Sequence, residues 1–429
     1  MEFPRRHLTA VIKKTPNTMA IPTRTTRASS HRLSDVVRLI VVVAMVVMVA
    51  WNMSLLSVAS QRQDDVRLRS VGQRQPPQAE LQQQLQQQQL YQKAHKPAAE
   101  PAPRDLGDRP WFLQPKTYED ASGCDFSEAV RRFEPSELEI NCDNIASLEL
   151  GEYIGEGFWR EVFKAQWKGR EVAVKVVKSK LLQRTDIIPR HVEEAVAMFP
   201  IREAPNIVSL VGWCNTTVVV EYVALKLDEL VFDPSADLPV RVALQLARDA
   251  ARGLAQLHTA PGGPFAHTDI QTRQFLVEPN GRLKLNDFNR VKYVGPSRLP
   301  GESNLKCLAR TNLAKGKWRS PEEYRKEDID EATDIYSLAL VLWTLRSRVK
   351  PFEGLPREQV YVRVPEGLRP PIEAMQDYPT AMQELVVRAW HGDPSQRPTA
   401  QAIADEIQQI LDQYDSERRQ QPAKEARAT

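Results

Sequence analysis

From Leu39 to Ser60 no side chain ionises, and the centre of the run, LIVVVAMVVMVAW, is almost wholly apolar. A helix of roughly 20 such residues crosses a hydrocarbon core about 30 Å thick. The run therefore predicts one transmembrane helix over 39–60, with a buried core helix as the alternative. It is too long, and begins too far from Met1, for the apolar centre of a cleaved signal peptide. Flanking charge is balanced, with Arg24, Arg27, Arg32 and Arg38 before it and Arg62, Arg67, Arg69 and Arg74 after it. Arg5, Arg6, Lys13 and Lys14 add to the leading side, and carrying such a basic tail, residues 1–38, across a bilayer is costly. The expectation is a single-pass signal-anchor with a cytosolic N-terminus and the bulk of the chain in the secretory pathway, in the ER, Golgi or at the cell surface. An Arg/Thr/Ser-rich, acid-poor start also suits an organelle transit peptide. That keeps an organelle membrane open, as well as the reverse orientation with a cytosol-facing domain.

Residues 61–120 change character: QPPQAELQQQLQQQQLYQKAHKPAAEPAPR is rich in Gln, Pro and Ala and reads as a stem. Leu81, Leu85 and Leu90 could form a short stripe that self-associates. A net charge of +3 over 429 residues makes no long-range basic field, so no nucleic-acid partner is expected. Four cysteines, Cys124, Cys142, Cys214 and Cys307, follow the apolar run. They permit up to two disulfides in an oxidising lumen and are equally compatible with four reduced thiols. No CxxC pair or His/Cys cluster suggests structural zinc.

After a pre-domain segment, 121–147, the pattern is globular. EVFKAQW and EVAVKVV read as neighbouring strands joined by the turn Lys168-Gly169-Arg170. VRVALQLARDAARGLAQLH, ATDIYSLALVLWTLRSR, AMQELVVRAW and AIADEIQQILDQY carry helical periodicity, and a polar tail occupies 416–429. A β-rich start followed by helices predicts an α+β domain over 148–415. Asn215-Thr216-Thr217, in a turn between strands, is a candidate glycan acceptor if the domain is luminal.

Gly155-Glu156-Gly157 stands at a strand turn just upstream of Val172-Ala173-Val174-Lys175. Two glycines let backbone amides approach phosphate oxygens, and a lysine on the next strand adds positive charge. Downstream come His267-Thr268-Asp269-Ile270-Gln271-Thr272-Arg273-Gln274, then Asp287-Phe288-Asn289, Ser320-Pro321-Glu322, Asp334 and Arg397. In this order, and with Glu194-Ala195 before Met198, the chain from Leu148 to Tyr414 resembles the protein kinase superfamily, of tyrosine-kinase-like, serine/threonine type.

That resemblance implies a bilobal fold with a small β-rich lobe and a large helical one, and phosphotransfer from ATP with Mg²⁺. It assigns Lys175 to the α/β-phosphates, with Glu194 as its ion-pair partner and Glu193 as the competitor. Gly155, Gly157, Val162 and Ala173 would enclose the nucleotide, with Val220 as gatekeeper and Glu221 and Val223 as hinge. Asp269 would be the base, Asp287 and Gln274 the metal ligands, and Arg273 a charge beside the transferred phosphoryl group. Glu322 would bond Arg397, and Asp334 would brace the catalytic loop. Substrates would be proteins, serine or threonine before tyrosine, or glycans if the domain is luminal.

Several positions depart from the family pattern. Arg160 occupies the third glycine's place, Thr268 replaces an arginine that docks a phosphorylated activation segment, and Gln271 replaces a lysine. Gln274 replaces a metal-binding asparagine, and Asn289 a glycine whose left-handed backbone Asn tolerates better than most residues. A kinase-like scaffold with little phosphotransfer is therefore the alternative function.

Overall fold

The computed structural model describes residue 82 and residues 109–428, apart from 120, 183, 185, 186, 300 and 302–304. The basic tail, the 39–60 run and most of the stem lie outside the described residues. Among those described, no helix is long and apolar enough to cross a membrane.

The small lobe is a five-stranded antiparallel sheet in the order β1-β2-β3-β5-β4, formed by β1 (Glu149–Glu156), β2 (Arg160–Trp167), β3 (Arg170–Val177), β4 (Leu210–Cys214) and β5 (Thr217–Glu221). Strand alternation gives each side chain a face. Phe163, Ala165, Trp167, Val172, Val174 and Val176 face one core together with Ile140, Val211 and Val219. Arg160, Val162, Ala173 and Lys175 fall on the opposite face, toward helix α2 (Ile187–Met198), where Ala173, Ala195 and Met198 join the main core.

The large lobe is helical, and α4 (Val240–His258), α6 (Ala332–Ser347) and α8 (Thr380–Ala389) supply most of its centre. Just before α3 (Leu227–Phe232), β6 (Leu225–Lys226) joins β8 (Phe275–Val277) and β9 (Leu283–Leu285) in a short sheet that flanks the catalytic loop, well ahead of α5 (Pro321–Arg325). A second pair joins β7 (Phe265–Ala266) to β10 (Lys292–Tyr293). This is the α+β, two-lobed architecture expected. Helix α7 (Arg357–Arg363) precedes α8, and α9 (Ala400–Ala428) runs on through the stretch read from composition as a polar tail.

The globular unit also starts before the stem boundary at 120. Trp111–Leu113 and Pro115–Tyr118 form 3-10 turns ahead of α1 (Ser127–Arg132), and Phe112 is fully buried. Phe112 and Phe133 meet Trp213 edge-on, at ring separations of 6.5 and 5.2 Å. Ile140 then bridges β4 beside Gly212, where a Cβ would lie 2.4 Å from that of Ile140, so only glycine allows the approach. All four cysteines pair, Cys142 with Cys214 inside the small lobe and Cys124 with Cys307 across 183 residues. The Asn215 turn corrects one expectation: Asn215 is left-handed, with φ 54°, and buried, so its side chain is not displayed to an enzyme that attaches glycans.

Candidate active site

Lys175 reaches the cleft because β2 and β3 pair in regular register, setting Val162 opposite it. Its Nζ donates to Asn286 Oδ1 at 3.2 Å and lies 3.6 Å from Glu194 Oε1. Glu193 is not the partner; it faces the other way and takes Lys292 at 2.5 Å. Glu194 is shared, since Arg160 Nη1 donates to its Oε2 at 2.5 Å. The residue in the third glycine's place thus makes the shorter contact with the helix carboxylate.

Above this group the turn closes through Gly157 N–H to the Arg160 carbonyl at 2.8 Å. A Cβ on Gly155 or Gly157 would meet nothing within 4 Å, so space is open over the backbone there. Val162 and Ala173 line the cleft side of the sheet. Val220 is buried at its back, and Glu221 is fixed by the Ser209 N–H at 2.7 Å and by Lys284 at 2.6 Å. Val223 has no backbone hydrogen bond among the described residues, which leaves its amide and carbonyl for a ligand.

On the cleft floor, Asp334 sets the catalytic loop. Its carboxylate accepts from the backbone N–H groups of His267 at 2.6 Å and Thr268 at 2.8 Å, and His258 Nε2 lies 3.0 Å away. Thr268 is thereby held left-handed, with φ 58°, a conformation a β-branched residue adopts only under tertiary constraint. Asp269 follows, and Gln271 Nε2 donates to its Oδ1 at 2.9 Å while Gln274 Nε2 donates to its Oδ2 at 2.5 Å. Arg273 is more exposed and stands 3.7 Å from Oδ2. With its amide nitrogen engaged, Gln274 has its carbonyl oxygen left for a cation.

A further partner of Asp269, Arg319, comes from the end of the activation segment. Arg319, 2% exposed, pairs with Asp269 Oδ1 and donates to the Thr268 carbonyl at 2.6 Å. Burial pushes the Asp269 carboxyl up, but the Arg319 guanidinium outweighs it and holds the group below the usual aspartate range. Nearby, burial raises Glu323 to about 7, Arg319 opposing.

Asp287 is left-handed, with φ 65°, and its carboxylate makes no hydrogen bond or ion pair among the described residues. The strained residue of this motif is therefore Asp287 and not Asn289, which stays out of the left-handed region. Among the described residues no cluster of three or more His, Cys, Asp and Glu would hold a metal by itself. A cation at Asp287 and the Gln274 carbonyl thus needs oxygens from another molecule to complete its shell. Lower down, Arg397 forks onto Glu322 at 2.6 and 2.9 Å, the pair expected from the sequence.

The structure brings Lys175, Glu194, Asp269, Gln274 and Asp287 to one cleft. Two contacts were missed from sequence, Arg319 on Asp269 and Arg160 on Glu194. An arginine standing where the pattern calls for glycine was the one available signal for the second.

The sequence profile of protein tyrosine and serine/threonine kinases matches residues 148–407. Among curated proteins, the chain is 32% identical over 280 residues to the probable serine/threonine-protein kinase drkC of Dictyostelium discoideum, covering 63% of this chain and 36% of that one. It is 30% identical over 287 residues to the dual specificity protein kinase shkA of the same organism, covering 65% and 50%. Against mitogen-activated protein kinase kinase kinase 7 of Bos taurus it is 27% identical over 279 residues, covering 63% and 45%. The matched segment thus spans half or less of each of these relatives.

Proposed function

Because the chain belongs to the protein tyrosine and serine/threonine kinase family, we propose that it transfers the γ-phosphate of ATP to a serine or threonine hydroxyl of a protein. The observation that carries this reading is the convergence of Lys175, Asp269 and the unengaged carboxylate of Asp287 in one cleft. Open space over Gly155 and Gly157, the free Val223 backbone and the Gln274 carbonyl suit Mg-ATP as well. When bound, Mg-ATP supplies the electrophilic phosphoryl group and the charge that offsets its oxygens.

Lys175, steadied by Glu194, holds the α/β-phosphates, while Asp287 and the Gln274 carbonyl hold magnesium. Asp269 orients the acceptor hydroxyl and receives its proton late, because a carboxylate held below its usual range is a weak base. Arg273 places positive charge at the mouth of the same site. The serine/threonine names of drkC and other relatives favour serine and threonine, while the dual-specificity name of shkA leaves tyrosine open.

The reading extends to location: a membrane anchor at 39–60 with the domain in the secretory lumen, where acceptors are secreted proteins or their glycans. Two disulfides support it, since they persist in oxidising compartments. Protease protection of the domain in sealed microsomes tests it, and digestion without detergent would place the domain in the cytosol.

Radiolabel transfer from ATP by the full-length chain, with Asp269→Asn as control and phosphoamino-acid analysis of the product, tests the activity. Phosphoserine or phosphothreonine that disappears in the control is expected. A nucleotide-binding scaffold is the second reading, favoured by the engagement of Asp269 with Arg319, Gln271 and Gln274. Stabilisation by Mg-ATP with no transfer by the wild type would select it.

A further inference from the structure

Arg160 is 5% exposed, and among the described residues its Nε and Nη2 have no hydrogen-bond partner; only Nη1 is used, on Glu194. A guanidinium carries five donors in a rigid fork, and burying it with donors unmet is costly. The β2–β3 register explains where the fork sits. Val162 is opposite Lys175, and Arg160, two residues earlier on β2, lies on the same face. Two buried cations thus share one carboxylate beneath the Gly155–Gly157 turn, leaving an excess of positive charge beside Asn286 and Asp287. On the opposite side of the cleft the Gln274 Nε2 is tied to Asp269, which leaves only its carbonyl oxygen to face a metal.

We propose that Arg160 is a second phosphate-binding residue, so that the polyphosphate of a nucleotide is held by Arg160 and Lys175 together, with Glu194 as their common counter-ion. The proposal rests on the nucleotide reading above. A guanidinium fork can take two phosphate oxygens at once, which an ammonium cannot. The open space over Gly155 and Gly157 lets the turn move to admit phosphate to a group now closed off from water. A fixed charge here also takes over part of the task of a metal ion, so triphosphate binding survives in part without magnesium.

The test is a thermal-shift titration of the full-length chain with ATP, ADP and adenosine, each with Mg²⁺ and with EDTA. Arg160→Met should weaken ATP and ADP by about 10- to 100-fold, the range of charge-assisted hydrogen bonds, and leave adenosine unchanged. It should also abolish the ATP binding that the wild type retains in EDTA. Arg160→Lys restores charge without the fork and should fall between, which also serves if the methionine variant does not fold. Equal weakening of ATP and adenosine would make Arg160 a purely structural anchor of α2 and overturn the proposal. Unchanged ATP affinity in both variants would overturn it while leaving the nucleotide reading intact. A wild type stabilised by none of the three ligands would overturn both.

Discussion

The Cys124–Cys307 disulfide joins the pre-domain segment to the activation segment, between Asp287 and Glu322, and closes a span of 183 residues. Around it the two strands of chain also touch through Arg298 N–H on the Gly123 carbonyl at 3.1 Å and Ser297 Oγ on the Ser122 carbonyl at 2.9 Å. Thr268 cannot dock a phosphorylated segment as an arginine would, so this crosslink is what anchors the segment on that side. In the chain-entropy treatment a loop of that length raises stability by about 5 kcal/mol. The Cys142–Cys214 loop lies within it and removes 72 residues from its contour, but the dependence is logarithmic and the figure stays near 5 kcal/mol. Urea unfolding of the full-length chain should therefore show a large drop in midpoint for Cys124→Ser/Cys307→Ser. Limited proteolysis should cut first between Gly295 and Lys317. A double mutant with the wild-type midpoint and cleavage pattern, or four reactive thiols in the native unreduced protein, would refute the reasoning.

Lys175→Ala and Asp287→Ala should each remove stabilisation by Mg-ATP in a thermal-shift assay, because one takes away the phosphate cation and the other the metal ligand. Glu322→Ala leaves Arg397 buried without its carboxylate and should cost about 3–5 kcal/mol in urea unfolding. Glu323 has a folded pKa of about 7 against an ordinary 4.5, so the stability it contributes is fully present below about pH 4.5 and is lost as pH rises through 7. Unfolding free energies from urea at pH 5 and 7.5 should differ by about 2 kcal/mol more in the wild type than in Glu323→Gln. Gln274→Asn should raise turnover without lowering the unfolding midpoint, since it shortens the amide at the metal and keeps its hydrogen-bonding character; a stable variant with unchanged turnover would count against a metal role for this position.

The bilobal fold and the Asp334 brace were legible because each rests on a local motif whose position along the chain is enough to place it. Glu322–Arg397 was legible for the same reason, although 75 residues separate the partners. The cysteine pairing was not, because four cysteines allow three connectivities and only the fold selects among them. Nor was the start of the globular unit: Phe112 sits in a Pro-rich stretch whose composition reads as stem, yet its ring is buried against Trp213. Asn289 was a reasonable candidate for left-handed backbone, but the contacts that fix His267 on the Asn286 carbonyl and Lys175 on the Asn286 side chain put the strain two residues earlier, on Asp287.

The cations of this site have changed elements without leaving it. Thr268 and Gln271 remove two positive charges from the catalytic loop, but Arg319 enters from the activation segment and Arg160 from the edge of the glycine turn. Charge on the loop itself travels with Asp269, whereas charge on another element reaches it only when the two elements are packed. At 2% exposure Arg319 cannot rotate to solvent without opening the lobe. Arg319 therefore lowers the Asp269 pKa only while the activation segment is docked. The disulfide at Cys307 and the Lys306 bridge to Asp330 at 2.5 Å hold that segment down by covalent and ionic contacts that require no phosphate. The segment that carries Arg319 is thus held over Asp269 without a phosphorylated side chain.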